Sequence, residues 1–362
     1  MTDSVIHLPT GRIQWIDWIK GWGMIAVVIN HIYGIVYFNQ KVVYCTIFNV
    51  SLLVLGGGIN STLSIVKRGT GGLKLYDRSL IKRLIKLWIP YMMSTAVFCI
   101  YYYRQFNFMA FKNYLLSFST PGSYFVCFYT QLMISAPILV ISFIAFNSQK
   151  GIQFLMLCFF SLLGVVLNYY SVIGDLYLGA NYVLGGTYLE VFCIGIFIML
   201  NIEYLNKKII KIISLLIAVI YLVVFFTNNY YENAWTNPPN QIAISYSLAV
   251  FIVLYCLLDF LNLLPLNKKK IDVFIRPITI LGENSLWIFL FHFIVITILQ
   301  EKTQILSFST GWVKFIIFFI GALYIPLILK CIVNIAYNKW VSIILVKLHK
   351  AGYLQEEYRK TG

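Results

Sequence analysis

Charge is what this chain has least of: 11% of its 362 residues are Asp, Glu, Lys or Arg, against 60% hydrophobic and 17% aromatic. That excludes a soluble globular surface, for which about a quarter of the residues are charged. Acids are scarcer than bases, 13 against 28, and histidines number 4. There is no glycine-rich phosphate loop, no zinc-spaced set and no serine-hydrolase elbow, which argues against nucleotide-driven hydrolysis and against a metal centre. The 7 cysteines stand singly, mostly inside apolar runs and without paired spacing, so they read as buried apolar side chains rather than disulfides or metal ligands. The first dozen residues carry Asp3, His7 and Arg12 with no apolar stretch before Trp15, so a cleavable signal peptide is not expected.

What the chain has in abundance is apolar length. Mean hydropathy is +0.81. Runs of about 20 apolar residues, each able to cross ~30 Å of hydrocarbon, recur from end to end. The class is therefore all-α, a polytopic transmembrane bundle. Ten spans are expected, at 18–38, 42–64, 88–105, 123–146, 152–172, 182–200, 209–227, 242–263, 278–300 and 312–336. Every second loop is basic. The loop after the second span holds Lys67, Arg68, Lys74, Arg78, Lys82, Arg83 and Lys86 against Asp77 alone, and the loops after the fourth, sixth and eighth continue the bias. Lysine and arginine placed this way put both termini in the cytoplasm of a multi-pass protein of the cytoplasmic (inner) membrane. The net charge of +15 thus reflects topology rather than a nucleic-acid partner. The chain divides into a ten-span membrane domain, 1–340, and a cytoplasmic amphipathic, basic tail, 341–362, with no repeat and no appended soluble domain.

The first span contains the anomaly to be explained. In RIQWIDWIKGWGMIAVVINH one imidazole, His31, stands among Ile, Val and Ala. Lys20 precedes it by 11 residues. On a helix the two lie about 20° apart and about 16 Å along the axis, with Asp17 about 40° to the other side. His292, in the ninth span, reaches a similar depth. An ionisable group there is costly unless it faces a polar interior, so function is the default reading and a neutral histidine bonded between helices the alternative. A histidine in a cavity can act as a general base on a hydroxyl. Asp17, Glu190 and Glu283 are the carboxylates near enough to a span to orient it. Asp17 is the best placed by helix phase, although pairing with Lys20 fits equally.

Two further constellations are polar. In YDRSLIKRLIKLWIPY, Arg78, Lys82 and Lys86 recur every four residues, with Arg83 beside them. Such a surface helix offers cations either to a nucleotide-like cofactor's phosphates or to anionic lipid headgroups. In PGSYFVCFYTQ, Tyr124 and Gln131 share a face and belong either to an interfacial belt or to a cavity that orients a sugar. Asn284 and Ser285 open the ninth span as an N-cap or as substrate ligands. Asn49, Asn60 and Ser61, around Gly56 to Gly58, permit close helix approach or line the same cavity.

IDWIKGWGMIAVVINH, IKRLIKLWIPY and GENSLWIFLFHFIVI together resemble acyltransferase family 3, the integral membrane acyltransferases. The resemblance implies transfer of an acyl group, acetyl or else succinyl, from cytoplasmic acyl-coenzyme A to a hydroxyl of a cell-surface or lipid-linked glycan. It requires no metal and no permanently bound cofactor. Carried over by position, His31 would be the catalytic histidine and Lys20 its basic partner. Lys82, Arg83 and Lys86 would lie near the donor's phosphates. Lysine stands where the family usually has arginine at position 20, which keeps charge but loses bidentate geometry. The physics of polar groups at mid-depth also permits a transporter or flippase of a lipid-linked sugar, against which stands the lack of an inverted repeat, or a scaffold for a polysaccharide synthase.

Overall fold

The computed structural model describes residues 13–33, 40–67, 78–173, 183–234, 236–265, 268–303 and 311–350, and no strand occurs among them. The helices are α1 (Gln14–Tyr33), α2 (Gln40–Tyr44), α3 (Asn49–Val66), α4 (Arg78–Tyr103), α5 (Phe108–Ser117), α6 (Ser123–Ala145), α7 (Lys150–Ile173), α8 (Tyr188–Leu200), α9 (Ile202–Leu205), α10 (Lys208–Thr227), α11 (Tyr231–Ala234), α12 (Gln241–Leu263), α13 (Lys268–Glu283), α14 (Ser285–Thr303) and α15 (Gly311–Lys350).

Seven stretches of the described residues are long and apolar enough to cross a membrane: Lys41–Val66, Leu80–Tyr103, Ser123–Ala145, Lys150–Tyr170, Lys208–Thr227, Gln241–Leu263 and Gly311–Ile335. This is a membrane protein. Three of the ten expected spans depart from a plain crossing. The first, α1, begins with Asp17 and Lys20 and ends with Asn30 and His31, so its apolar middle is short; residues 34–38 lie outside the described part. The sixth is helical only over the 13 residues of α8. At 1.5 Å per residue that is about 20 Å, too short for ~30 Å of hydrocarbon. The ninth is two helices, α13 and α14, meeting at 81°. The polar run Glu283, Asn284, Ser285 makes the corner: the Asn284 N–H donates to the Ile280 and Leu281 carbonyls, while its own carbonyl accepts from Ile288 N–H. The backbone thus stays satisfied through the bend, as a low-dielectric site requires. The expected boundary at 340 falls inside α15, which runs unbroken to Lys350; residues 351–362 lie outside the described part.

The centre of the bundle is α3, packed against α1 and α8, with α13 and α14 closing on α1. Without a water-driven hydrophobic effect between helices, such contacts depend on small residues that let backbones approach. At Gly58 a Cβ would stand 2.1 Å from the Phe192 carbonyl oxygen, and at Gly282 one would stand 1.8 Å from that of Asp17. The first crossing seats α8 against α3; the second sets the corner against the start of α1. A Gly58→Ala change is expected to push α3 and α8 apart and cost about 1–3 kcal/mol, read as a lower melting temperature of the detergent-purified protein. An unchanged melting temperature would contradict this packing.

Candidate functional site

Two cavities lie at opposite ends of α1, one taking Lys20 and the other Asn30 and His31. The first, about 360 Å³, is cationic. Lys20 enters it from α1, Arg83 and Lys86 from α4, Asn60 and Ser61 from α3, and Glu283 and Ser285 from the corner. Its inner end is apolar, formed by Phe125, Tyr129, Met133 and Phe289. Three cations against one acid give it a positive field suited to phosphate oxygens. Lys20 and Asn60 also border a neighbouring hollow of about 450 Å³ that includes Asp17, Ser64 and Lys67.

Asp17 is buried and makes a 2.8 Å ion pair with Lys20 one turn away. It precedes His31 by 14 residues, about 21 Å along the helix. The expectation that Asp17 orients the imidazole is therefore corrected: its carboxylate holds the Lys20 ammonium at the cavity wall. The phase of the basic face is corrected as well. Arg83 and Lys86, three residues apart, line the cavity, whereas Lys82 is exposed and outside it. Arg78 is the first residue of α4, and its side chain lies outside the described part.

The second cavity, about 260 Å³, is lined by His31 together with Asn30, Asn49, Ser51, Tyr124, Tyr188, Thr236 and Asn237. His31 Nδ1 lies 2.8 Å from the Val27 carbonyl oxygen. A carbonyl only accepts, so Nδ1 carries the proton and Nε2 keeps its lone pair. The ring is thus fixed in the tautomer of a base. Behind it stands His292, with ring centroids 4.7 Å apart and edge to face. Its Nδ1 donates to the Phe289 carbonyl at 2.7 Å and the Ile288 carbonyl at 3.1 Å. Its Nε2 is buried without a hydrogen-bond partner, and the residue lines neither cavity. The expected sharing of one depth by the two imidazoles is what the helices produce.

Between the cavities stands an aromatic partition. Phe289, which walls the cationic side, has its ring 4.8 Å from Phe125, 6.3 Å from Tyr124 and 5.8 Å from His292. The one cavity that Asn49, Asn60 and Ser61 were expected to share is in fact two, back to back: Asn49 faces His31, while Asn60 and Ser61 face the cationic side. Tyr124 does face the His31 cavity, but Gln131 faces neither. Its Oε1 accepts from the Leu184 N–H at 2.8 Å, at a turn where Leu184 has φ 51°. A Gln131→Leu change is expected to cost about 1 kcal/mol by stranding that N–H, measured as a fall in melting temperature. Ser285 belongs to the cationic side, and Asn284 Oδ1 accepts from the Lys330 ammonium of α15.

The sequence reading missed Asn30, Tyr188, Thr236 and Asn237. The Tyr188 hydroxyl donates to Asn237 Oδ1 at 3.1 Å, and the Thr187 hydroxyl to the Pro239 carbonyl at 2.6 Å. These bonds fasten the segment before α12 to the start of α8 as one wall of the cavity. The available signal was the polar run TNPPN between two apolar spans. Among the described residues no three His, Cys, Asp or Glu side chains gather as a metal site.

Set against known proteins, residues 13–331 match the family model described as an acyltransferase domain. No curated protein and no solved structure matches the chain.

Proposed function

Because the chain belongs to acyltransferase family 3, whose model covers residues 13–331, we propose that it carries an acyl group from acyl-coenzyme A to a glycan hydroxyl across the partition between its two cavities. The observation that carries this reading is the position of His31 in a polar cavity immediately behind a cationic one. Coenzyme A brings phosphates on one end and a thioester on the other. Arg83, Lys86 and Lys20 suit the phosphates, and the apolar inner end suits the pantetheine arm. Amide, hydroxyl and phenol groups around His31 suit the hydroxyls of a sugar.

In the reaction, His31 Nε2 takes the proton from the acceptor hydroxyl as that oxygen attacks the thioester carbonyl carbon. The tetrahedral intermediate collapses with cleavage of the C–S bond. The imidazolium then returns its proton to the thiolate, so that coenzyme A leaves as the free thiol and the acyl group remains as an ester. His292, packed edge to face on His31, limits the ring to one orientation. Phe289 and Phe125 supply bulky rings to the wall of the donor cavity, which favours acetyl over succinyl. The bias of lysine and arginine among the loops supports a donor cavity open to the cytoplasmic face and a His31 cavity open to the opposite one.

Purified protein given acetyl-coenzyme A and an oligosaccharide acceptor is expected to release free thiol in step with O-acylated sugar seen by mass spectrometry. Passage of the glycan across a reconstituted vesicle with the thioester intact would overturn the reading and favour a transporter.

A further inference from the structure

A groove remote from both cavities has a composition of its own. It is walled by the end of α8 and by α9, with Lys150 at the start of α7 and Ile210 at the start of α10; the spanning parts of α7 and α10 are only 11% buried inside the protein, so this side of the bundle faces the bilayer. Phe197, Ile198, Leu205 and Ile210 make its apolar walls, and its volume is about 370 Å³. At its polar end the Lys150 ammonium donates to Asn147 Oδ1 at 3.0 Å and to Gln153 Oε1 at 3.4 Å. Gln153 is itself fully buried, tied to the Phe143 carbonyl at 2.8 Å. Lys207 is exposed outside the groove wall and stands 4.6 Å from the ring centroid of Tyr204, which does line the groove, while Lys150 stands 5.8 Å from the same ring.

The chemistry of this end is specific. Amide oxygens hold the Lys150 ammonium in place but do not neutralise it, and among the described residues neither Lys150 nor Lys207 is bridged to a carboxylate. Glu203, beside Tyr204, is the one carboxylate that acts electrostatically on Lys150; it is exposed to solvent and makes no direct bridge to either lysine. The groove lies at the same end of the bundle as the cationic cavity, since α6 and α8 both begin beside His31 and finish here. An occupant must therefore be apolar along its length and anionic at its head, and must arrive from the side. The surrounding bilayer supplies such a molecule.

We propose that this groove is a binding site for one anionic phospholipid, with an acyl chain against Phe197, Ile198, Leu205 and Ile210 and the headgroup phosphate between Lys150 and Lys207. The site stands whether or not the acyl-transfer reading does.

The test uses the full-length protein in detergent, offered phosphatidylglycerol and phosphatidylcholine of the same chain length, with retained lipid counted by native mass spectrometry. Wild type is expected to retain phosphatidylglycerol at least tenfold better. Lys150→Gln combined with Lys207→Gln should remove that preference. Leu205→Trp, which fills the groove and leaves both cations, should lower retention of both lipids. Equal retention of the two lipids by wild type, a preference unaffected by the paired lysine changes, or retention untouched by Leu205→Trp would overturn the proposal. So would displacement of bound phosphatidylglycerol by free coenzyme A, because the cations would then serve a soluble phosphate compound.

Discussion

His31→Ala is expected to lower acyl transfer by about 10²- to 10⁴-fold, the range that a positioned general base contributes. The reason is specific to this ring: Nδ1 is engaged by the Val27 carbonyl, so the remaining Nε2 is the one basic nitrogen the residue can offer to the cavity. The ring is half-buried rather than packed on all sides, so its loss should leave membrane insertion and the melting temperature near those of wild type. Thiol release and acylated product should fall together. Transfer at the wild-type rate by a folded His31→Ala protein would remove the mechanism. His31→Gln sharpens the comparison, because it keeps polarity and much of the volume while abolishing the base, and is expected to fail as fully as alanine.

Arg83→Ala and Lys86→Ala are each expected to raise the KM for acyl-coenzyme A by about 10- to 100-fold, from the loss of charged hydrogen bonds worth about 1.5–3 kcal/mol. Both side chains line the cationic cavity. Their contribution is to holding the donor rather than to bond-making, so kcat should move less than KM. Lys82→Ala is the informative neighbour: its side chain is exposed and outside the cavity, and a solvent-screened charge of that kind should change KM by less than about threefold. Were Lys82 to matter more than Arg83, the assignment of the donor to this cavity would be lost. Raising salt should weaken donor binding in wild type and have less effect in the Arg83→Ala, Lys86→Ala pair.

The pairing of Asp17 with Lys20 explains how a lysine serves where a guanidinium would bring its own rigid geometry. An ammonium on a flexible stem is a point charge with three rotatable donors. The buried Asp17 carboxylate, one turn back, restricts that stem by a 2.8 Å contact. The backbone of the same residue is gripped from the other side by the close approach of Gly282. The corner between α13 and α14 thus supports the cationic cavity twice, through Glu283 and Ser285 in its wall and through Gly282 against the Asp17 backbone.

Local period and composition were enough to read an all-helical membrane protein and to place Lys20 and His31 on one stripe of the first helix. They were enough also to mark the cations in the first turns of α4, because a helix repeats every 3.6 residues wherever it packs and a bilayer admits little else. What tertiary structure alone decided is which partners those groups meet. Helical spacing favoured Arg78, Lys82 and Lys86 as one face, yet the rotation of α4 against α6 and α14 brings Arg83, partly buried, and Lys86, still exposed, to the cavity wall and leaves Lys82 off it. The partner of Asp17, by contrast, follows from spacing within α1: His31 is 14 residues and about 21 Å further on, whereas Lys20 is one turn away and is the residue it pairs with. The meeting of His31 with His292 spans most of the chain, and the partition at Phe289 joins α14 to α6; both depend on how closely backbones approach at glycines and how sharply the chain turns at Asn284. Those are properties of contacts between helices, and no period within one helix encodes them.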